Sequence, residues 1–132
     1  DYAHTPEAIA LALRELKTKY PKVRALIGFS GERDHSKRKP MIEFASLADR
    51  VIATTQHPRS EGPEQILADI KRHKPDMETA SEPIEGLRQL AEDLGKDECL
   101  VWFGPGNLEY REFKDGKKPF FPREVIAEVF GD

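Results

Sequence analysis

The sequence predicts an α/β domain built on a Rossmann-like, mostly parallel sheet of about five to six strands with helices on both faces. Two observations support this fold class. Short apolar runs alternate about four times with longer segments whose apolar residues recur at helical spacing. The apolar runs are also nearly continuous, which is typical of strands that are buried on both faces of a parallel sheet.

Proline and glycine mark where the predicted helices begin and end. Thr5 offers an N-cap and Pro6 a proline at the first helical position, so the first helix is predicted from residue 6 to about residue 20. Pro21 ends it. Four further helices each place apolar residues on one face. One covers residues 40–47 and the next begins at Pro63. A third runs from Pro83 to Gly95, where the glycine ends it, and the last begins at Pro122.

Four apolar runs are predicted to be strands of the parallel sheet. They cover residues 23–29, 50–54, 77–80 and 99–103, and the third of them is the weakest pattern. Residues 108–113 alternate between polar and apolar side chains and are followed by a turn at residues 114–117. This last segment predicts a hairpin or an antiparallel edge strand.

Composition and charge exclude several classes of function. The 132 residues suit one ordinary domain, and 21 Lys and Arg against 24 Asp and Glu leave a formal net charge of -3. This balance gives no electrostatic reason to expect nucleic acid or an anionic membrane as a partner. No apolar run approaches the roughly 20 residues that a membrane-spanning helix needs. We therefore expect a cytoplasmic protein.

The cysteine and histidine residues predict neither a disulfide nor a metal site. The single cysteine, Cys99, excludes an internal disulfide, and its apolar neighbours predict a buried, unreactive thiol. The four histidines show no close helical or cysteine-paired spacing, so no metal site is predicted. No nucleophile, base and acid arrangement is evident either, and we assign no catalytic residue.

Polar loops follow the first, second and fourth strands, where ligands of parallel sheets bind. After the first strand, Gly28 and Gly31 permit close backbone approach, and five cationic or titratable basic side chains occupy residues 33–39. This loop suits an anion such as a phosphate or carboxylate, although a solvated basic loop would have the same composition. The sequence contains neither a Walker phosphate loop nor a dinucleotide fingerprint at this position.

The loops after the second and fourth strands hold further binding candidates. Arg59 offers a planar guanidinium that suits a carboxylate, and His57 is held extended by the proline that follows it. Gly104 and Gly106 flank a proline and permit close approach to a ligand. Taken alone, the residues of the loop after the second strand favour an ordinary turn, and an ordinary turn would also account for the loop after the fourth.

Several motifs, in order along essentially the whole chain, resemble the carboxy-terminal domain of the Mur ligases. The likeness is greatest to the branch that adds the third residue of the peptidoglycan peptide. The motifs that carry it are Asp-Tyr-Ala-His-Thr-Pro-Glu-Ala at 1–8, Gly-Glu-Arg-Asp at 31–34, Lys-Arg-Lys-Pro at 37–40, Ala-Asp-Arg-Val-Ile at 48–52, Pro-Arg-Ser-Glu-Gly-Pro at 58–63 and Pro-Arg-Glu-Val at 122–125.

This resemblance implies an ATP-dependent amide ligase of three domains. One domain binds the nucleotide-sugar acceptor, a central one carries the ATP phosphate loop, and the third, here residues 1–132, closes over ATP and presents the amino acid. A substrate carboxylate takes the γ-phosphoryl group to give an acyl phosphate, which the incoming amine attacks, while Mg²⁺ neutralises the phosphates. By the same resemblance the chain alone would be inactive, because the other two domains are missing.

The resemblance also assigns roles to individual residues. Asp1 and His4 match the motif that borders the nucleotide, and a carboxylate such as Asp1 can accept hydrogen bonds from ribose hydroxyls. Arg33 and Arg59 match arginines that hold carboxylates of the incoming amino acid. The remaining substrate-binding candidates are the residues already named on the two loops, His57, Gly104 and Gly106.

Two motifs depart from the pattern of this branch. Gln56 and His57 stand where the branch has Asp-Asn before Pro-Arg, and Leu108 stands where a glutamate would bind the distal ammonium of diaminopimelate. The resemblance therefore predicts the family and leaves the amino acid open. Two alternatives are a ligase domain like that of folylpolyglutamate or cyanophycin synthetase, and a stand-alone small-molecule-binding α/β module. The abrupt start at Asp1 favours a domain that other segments precede.

Overall fold

The computed structural model describes residues 5–31, 35–105 and 108–131. The helices in these ranges are α1 (Pro6–Lys19), α2 (Arg38–Ala45), α3 (Pro63–His73), α4 (Pro83–Ala91) and α5 (Pro122–Phe130), and a short 3₁₀ helix (His35–Lys37) precedes α2. The strands are β1 (Lys22–Phe29), β2 (Arg50–Thr55), β3 (Glu78–Thr79), β4 (Glu98–Phe103), β5 (Tyr110–Phe113) and β6 (Gly116–Pro119).

The first four strands form one parallel sheet in the order β3-β2-β1-β4. In the centre of the sheet, Ala25 of β1 lies opposite Val51 of β2 on one side and Val101 of β4 on the other. This arrangement confirms the predicted α/β class with a mostly parallel sheet. Because all four strands run the same way, their carboxyl ends meet along one edge.

Helices cover both faces of this sheet, as predicted. On one face, Val23, Ala25 and Ile27 of β1 pack in a buried cluster with apolar residues of α1, α2 and α3. On the other face, Leu26 and Ile52 pack with apolar residues of α4 and α5. The strand side chains alternate between the two clusters because successive residues of a strand point to opposite faces.

Strands β5 and β6 form a separate antiparallel hairpin and do not extend the edge of the parallel sheet. Their connection is the pair Lys114 and Asp115, and the next residue, Gly116, has a φ of 122° that favours glycine. A single parallel bridge between Phe113 and Arg59 joins the hairpin to the loop after β2. The predicted hairpin therefore exists, but it lies across the carboxyl edge of the sheet.

Helix α4 is shorter than the sequence predicts. It ends at Ala91 and not at Gly95, because the Arg24 guanidinium caps its carboxyl end. The guanidinium donates hydrogen bonds to the carbonyls of Leu90 at 2.8 Å and Glu92 at 2.7 Å. Asp93 then adopts a left-handed φ of 61°. A side chain 66 residues away along the chain thus satisfies the helix end.

Two further expectations are refined. Helix α2 begins at Arg38, so Pro40 lies within its first turn, where a proline is tolerated. Cys99 is half-buried, and burial raises the pKa of its thiol. Across residues 5–31, 35–105 and 108–131, no helix combines the length and the apolar character required to cross a membrane.

Candidate functional site

A cleft of about 420 Å³ opens at the carboxyl edge of the parallel sheet. Its walls come from the ends of β1, β2 and β4, from the start of α2 and from the hairpin. The residues that line it are Gly28, Phe29, Ser30, Lys37, Arg38, Met41, Gln56, His57, Arg59, Gly104, Leu108, Tyr110 and Glu112. The cleft is where a parallel sheet places its ligands.

The loops after β1 and β2 form one continuous wall of the cleft. The Gly31 N–H donates to the His57 carbonyl at 2.9 Å, and the His57 N–H donates to the Ser30 hydroxyl at 3.3 Å. A Cβ atom added at Gly31 would lie 2.1 Å from the Pro58 carbonyl oxygen, so only glycine permits this approach. The close approach explains the glycine that the sequence places after the first strand.

The His57 ring is held in one orientation. The backbone N–H of Glu112 donates to Nδ1 of His57 at 3.0 Å, so in the neutral ring the proton resides on Nε2. The ring centroid lies 5.6 Å from that of Tyr110, and His57 is 9% exposed. The His57 ring is therefore held in a fixed orientation at the wall of the cleft.

Arg59 lies beside His57, and its backbone and side chain are both fixed. Its φ is 56°, in the left-handed region, and its N–H donates to the Glu112 carbonyl at 2.9 Å. Nη1 donates to the Gly31 carbonyl at 2.9 Å, and Nη2 lies 3.4 Å from Oε2 of Glu112. The guanidinium thus sits at the cleft wall with one carboxylate already beside it.

Gly104 supplies the end of the β4 wall. Its φ is 135°, which an L side chain rarely adopts, and an added Cβ atom would lie 3.2 Å from Oε1 of Gln56. The residue that comes close to Gly104 is therefore a side chain of the protein itself, and the predicted approach to a ligand stays a prediction.

The structure brings three of the sequence-predicted binding residues to one cleft, namely His57, Arg59 and Gly104. The other four, Asp1, His4, Arg33 and Gly106, lie outside the described residues. In the parts of the chain that are described, no three or more His, Cys, Asp or Glu side chains come together as metal ligands would.

The sequence analysis counted Arg38 only among the basic side chains of a loop suited to an anion, whereas in the structure it anchors the α2 wall of the cleft. Its guanidinium is 3% exposed and binds both carboxylate oxygens of Glu61, at 3.0 and 3.2 Å, together with Asp69 at 2.8 Å and the Ser30 carbonyl at 2.9 Å. Burial alone would lower the pKa of Arg38, but its hydrogen bonds to the two acids outweigh this and raise it. Arg38 therefore remains charged.

Arg111 also has a structural role that the sequence did not indicate. It lies on β5, is 4% exposed, and fastens the hairpin to the end of β2. It donates to the Gln56 carbonyl at 2.8 Å, to the Thr55 hydroxyl at 2.8 Å and to Glu82 at 2.9 Å. Burial lowers the pKa of its guanidinium, and the charge of Glu82 opposes this. The alternating pattern of residues 108–113 was the only signal of this strand.

Comparison with known protein families matches residues 1–106 to the family described as Mur ligase, glutamate ligase domain. The chain belongs to the Mur ligase family. This match covers most of the chain, including the loops after β1 and β2 and the start of the loop after β4, and it confirms the resemblance that the motifs predicted.

A curated Mur ligase relative aligns with almost the whole chain. The UDP-N-acetylmuramoyl-L-alanyl-D-glutamate--2,6-diaminopimelate ligase of Chlorobaculum tepidum is 36% identical over 136 residues, which cover 98% of this chain and 27% of the relative. The chain therefore spans about a quarter of the length of the curated relatives that it matches.

Solved structures show the same fold. A structure of a ligase with the same name superposes with a TM-score of 0.87 at 33% identity and covers 99% of this chain and 28% of the other. The bifunctional folylpolyglutamate synthase/dihydrofolate synthase of Yersinia pestis superposes with a TM-score of 0.61 at 20% identity over 79% of this chain and 24% of that chain. At that identity the second likeness concerns the fold alone.

Proposed function

We propose that residues 1–132 are the amino-acid-binding domain of an ATP-dependent acid–amino-acid ligase that acts in cell-wall peptide synthesis. The observation that carries this proposal is that the Arg59 guanidinium and the oriented His57 ring lie in one cleft at the carboxyl edge of the sheet. A guanidinium and an imidazole N–H together suit the carboxylate of an incoming amino acid. The match to the diaminopimelate ligases supports the pathway.

The role of the domain would be to hold the amino acid and orient its amine. Arg59 and His57 would bind a carboxylate of the amino acid, Arg33 would assist from the loop after β1, and the glycines 104 and 106 would let the backbone approach. Because the carboxylate is fixed by directed donors, the amine is presented to the acceptor in one orientation. We propose no catalytic residue in this chain, which alone would be inactive.

ATP and Mg²⁺ would bind mainly to a central domain of the longer protein, with Asp1 and His4 at the edge of the nucleotide. When bound, ATP supplies the phosphoryl group that activates the acceptor carboxylate. Among the described residues no three or more His, Cys, Asp or Glu side chains cluster, and we assign none of them to Mg²⁺. The further partners would be an amino-terminal domain and a nucleotide-sugar acceptor, and the site of action would be the cytoplasm.

A ligase domain of the folylpolyglutamate or cyanophycin type would share this architecture and use another acceptor. The comparisons favour the peptidoglycan branch, because the likeness to the diaminopimelate ligase is greater in both identity and superposition than the likeness to folylpolyglutamate synthase. A stand-alone binding module would need no acceptor. Dependence of the reaction on a muramoyl peptide separates these alternatives.

The test is a phosphate-release assay on the longer protein that contains this chain, with a muramoyl peptide acceptor and a panel of amino acids. We expect Arg59→Ala to raise the KM for the amino acid by about tenfold or more, since a hydrogen bond to a charged group contributes about 1.5–3 kcal/mol, and to leave the KM for ATP unchanged. Arg14→Ala, an exposed change on α1, is the matched control. A raised KM for ATP with an unchanged amino-acid KM would show that the cleft is misassigned.

A further inference from the structure

Glu112 is the one acidic residue among the described residues that line the cleft. Its backbone positions two neighbours, since its N–H donates to Nδ1 of His57 at 3.0 Å and its carbonyl accepts the Arg59 N–H at 2.9 Å. Its side chain has no such structural use. The side chain is 36% exposed and lies at the wall of the cleft, so a ligand in the cleft can reach it.

The Glu112 carboxylate and the Arg59 guanidinium are close but not hydrogen-bonded. Nη2 of Arg59 lies 3.4 Å from Oε2 of Glu112, beyond the range of about 2.7–3.2 Å that is usual for an N–H···O hydrogen bond. The guanidinium donates through Nη1, to the carbonyls of Gly31 at 2.9 Å and His57 at 3.5 Å. Within residues 5–31, 35–105 and 108–131, neither Nη2 nor the Glu112 carboxylate makes a hydrogen bond. Both groups therefore keep hydrogen-bonding capacity for a ligand.

The backbone, and not a bond between the two side chains, keeps Arg59 and Glu112 adjacent. Arg59 has a left-handed φ of 56°, and a bridge to Phe113 joins it to the hairpin that carries Glu112. A non-glycine residue in this region of φ costs free energy, and such residues cluster at ligand-binding sites. The fold thus sets a cationic and an anionic side chain next to each other at a fixed place in the cleft.

A ligand with a carboxylate alone suits this pair poorly. Bound to Arg59, it would bring a second negative charge beside Glu112, and like charges at short range repel. The nearby guanidinium of Arg38 cannot offset this, because it is already bound to Glu61 and Asp69. An α-amino acid carries its own compensation, since its nitrogen lies about 2.5 Å from its carboxyl carbon and can meet Glu112 while the carboxylate meets Arg59.

We propose that Glu112 makes the cleft selective for a zwitterion. Its carboxylate accepts hydrogen bonds from an ammonium on the same carbon as the carboxylate that Arg59 holds, and it repels a ligand that has the carboxylate without the ammonium. This inference rests on the proposed function and names a specificity-determining residue of the same cleft.

The first test removes the ammonium from the ligand. In the phosphate-release assay on the longer protein, each amino acid that supports the reaction is compared with its deaminated counterpart as a competitive inhibitor, for example glutarate for glutamate or 6-aminohexanoate for lysine. We expect the inhibition constant of the counterpart to exceed the KM of the amino acid by about tenfold or more, because the charged hydrogen bond to Glu112 is lost and repulsion remains. An inhibition constant equal to or below that KM would overturn the inference.

The second test removes the charge from the protein. Glu112→Gln keeps the shape of the side chain and the backbone contacts of the residue. It should raise the KM for the amino acid by about tenfold or more and leave the inhibition constant of the deaminated counterpart unchanged or lower. Glu109→Gln makes the same change at an exposed position before β5 and should alter neither constant. Thermal unfolding of both variants reports whether they are folded.

The outcomes separate this inference from the proposed function. Arg59→Ala should weaken the amino acid and its counterpart alike, because both carry the carboxylate. If Glu112→Gln also changes both constants by the same factor, or changes neither, Glu112 does not bind the ammonium, and the ligase assignment stands. If no amino acid of the panel supports phosphate release, the proposed function fails and this inference fails with it.

Discussion

Arg38 shows how a single buried charge can shape a binding cleft. Its guanidinium is surrounded by Glu61, Asp69 and the Ser30 carbonyl, so the cost of burying the charge is offset by directed hydrogen bonds. The three contacts join α2 to α3 and to the end of β1. On Asp69, burial alone would raise the carboxyl pKa, but the hydrogen bond from Arg38 and the nearby Arg72 charge lower it.

Removal of the Arg38 guanidinium should strongly destabilise the protein. Arg38→Met leaves Glu61 and Asp69, which are 16% and 14% exposed, without their main cation, and breaking a buried ion pair in this way costs about 3–5 kcal/mol. The measurement is urea denaturation followed by circular dichroism. Arg72 also pairs with Asp69 but is 74% exposed, so Arg72→Met should change the free energy of unfolding by less than about 1 kcal/mol. Equal losses in both variants would contradict this account.

At the residue scale, the sequence indicated where the candidate binding residues would lie but not how the protein holds them. His57, Arg59 and Gly104 meet in the cleft because they follow β2 and β4, two strands of one parallel sheet, whose carboxyl ends lie at the same edge. The anchoring of Arg111 depends on hydrogen bonds to residues 55 and 56 positions away along the chain. No sequence pattern reports contacts of that kind.

At the scale of elements, the β5–β6 hairpin is a wall of the cleft and also a clamp on the loop after β2. Arg111 holds the hairpin by hydrogen bonds to Thr55 and Gln56, and its guanidinium lies 5.0 Å from the Phe113 ring centroid. Glu112 contributes its backbone to both His57 and Arg59. The proposed carboxylate-binding residues are therefore positioned by a hairpin that does not belong to the main sheet.

Replacement of Arg111 should release this hairpin before it unfolds the sheet. In Arg111→Met we expect amide hydrogen exchange across residues 110–119 to become at least about tenfold faster, because these amides would exchange through local opening, while the amides of β1 keep their protection. Hydrogen exchange read by mass spectrometry measures both segments. Lys118→Met, at a side chain that is 57% exposed, is the control on the same hairpin and should leave exchange in these residues unchanged. Uniformly faster exchange in β1 and the hairpin would show that Arg111 stabilises the whole fold.

The beginnings of elements were easier to predict than their ends. Four of the five helices begin with a proline that the sequence shows directly, as α1 does at Pro6. The end of α4 was predicted at Gly95 because glycine usually terminates helices, yet the helix stops at Ala91 where Arg24 takes up its carbonyls. The residues around the end of the helix do not indicate this contact, because it comes from Arg24 on β1.

At the scale of the whole molecule, the sheet and its two helical layers followed from periodicity, but the strand order did not. Apolar runs show that strands are buried and say nothing of which strand lies beside which. The sequence likewise does not indicate how closely each helical layer packs against the sheet. Gly86 lies inside α4, where glycine lowers helix stability, and its place becomes clear only because an added Cβ atom would lie 2.6 Å from Cδ1 of Leu26 on β1.

A larger side chain at Gly86 should force the α4 layer away from the sheet. We expect Gly86→Val to lower the free energy of unfolding by about 1–3 kcal/mol, the range found when extra atoms enter a well-packed core. Gly95→Val is the control, because the nearest atom to an added Cβ there is at 3.6 Å and the residue is exposed. Thermal and urea denaturation measure both variants. An unchanged stability of Gly86→Val would show that Leu26 and its neighbours can repack.

The contact between Gly31 and the Pro58 carbonyl has a consequence for the exchange of parts among relatives of this chain. Because no side chain fits between the two loops, a loop transplanted from another Mur ligase after β1 would need the matching loop after β2, and the backbone of Glu112 to hold it. A transplanted loop with any residue other than glycine at position 31 would therefore clash with the loop after β2, whatever substrate the chimera was meant to accept. The transferable unit is the pair of loops together with the hairpin.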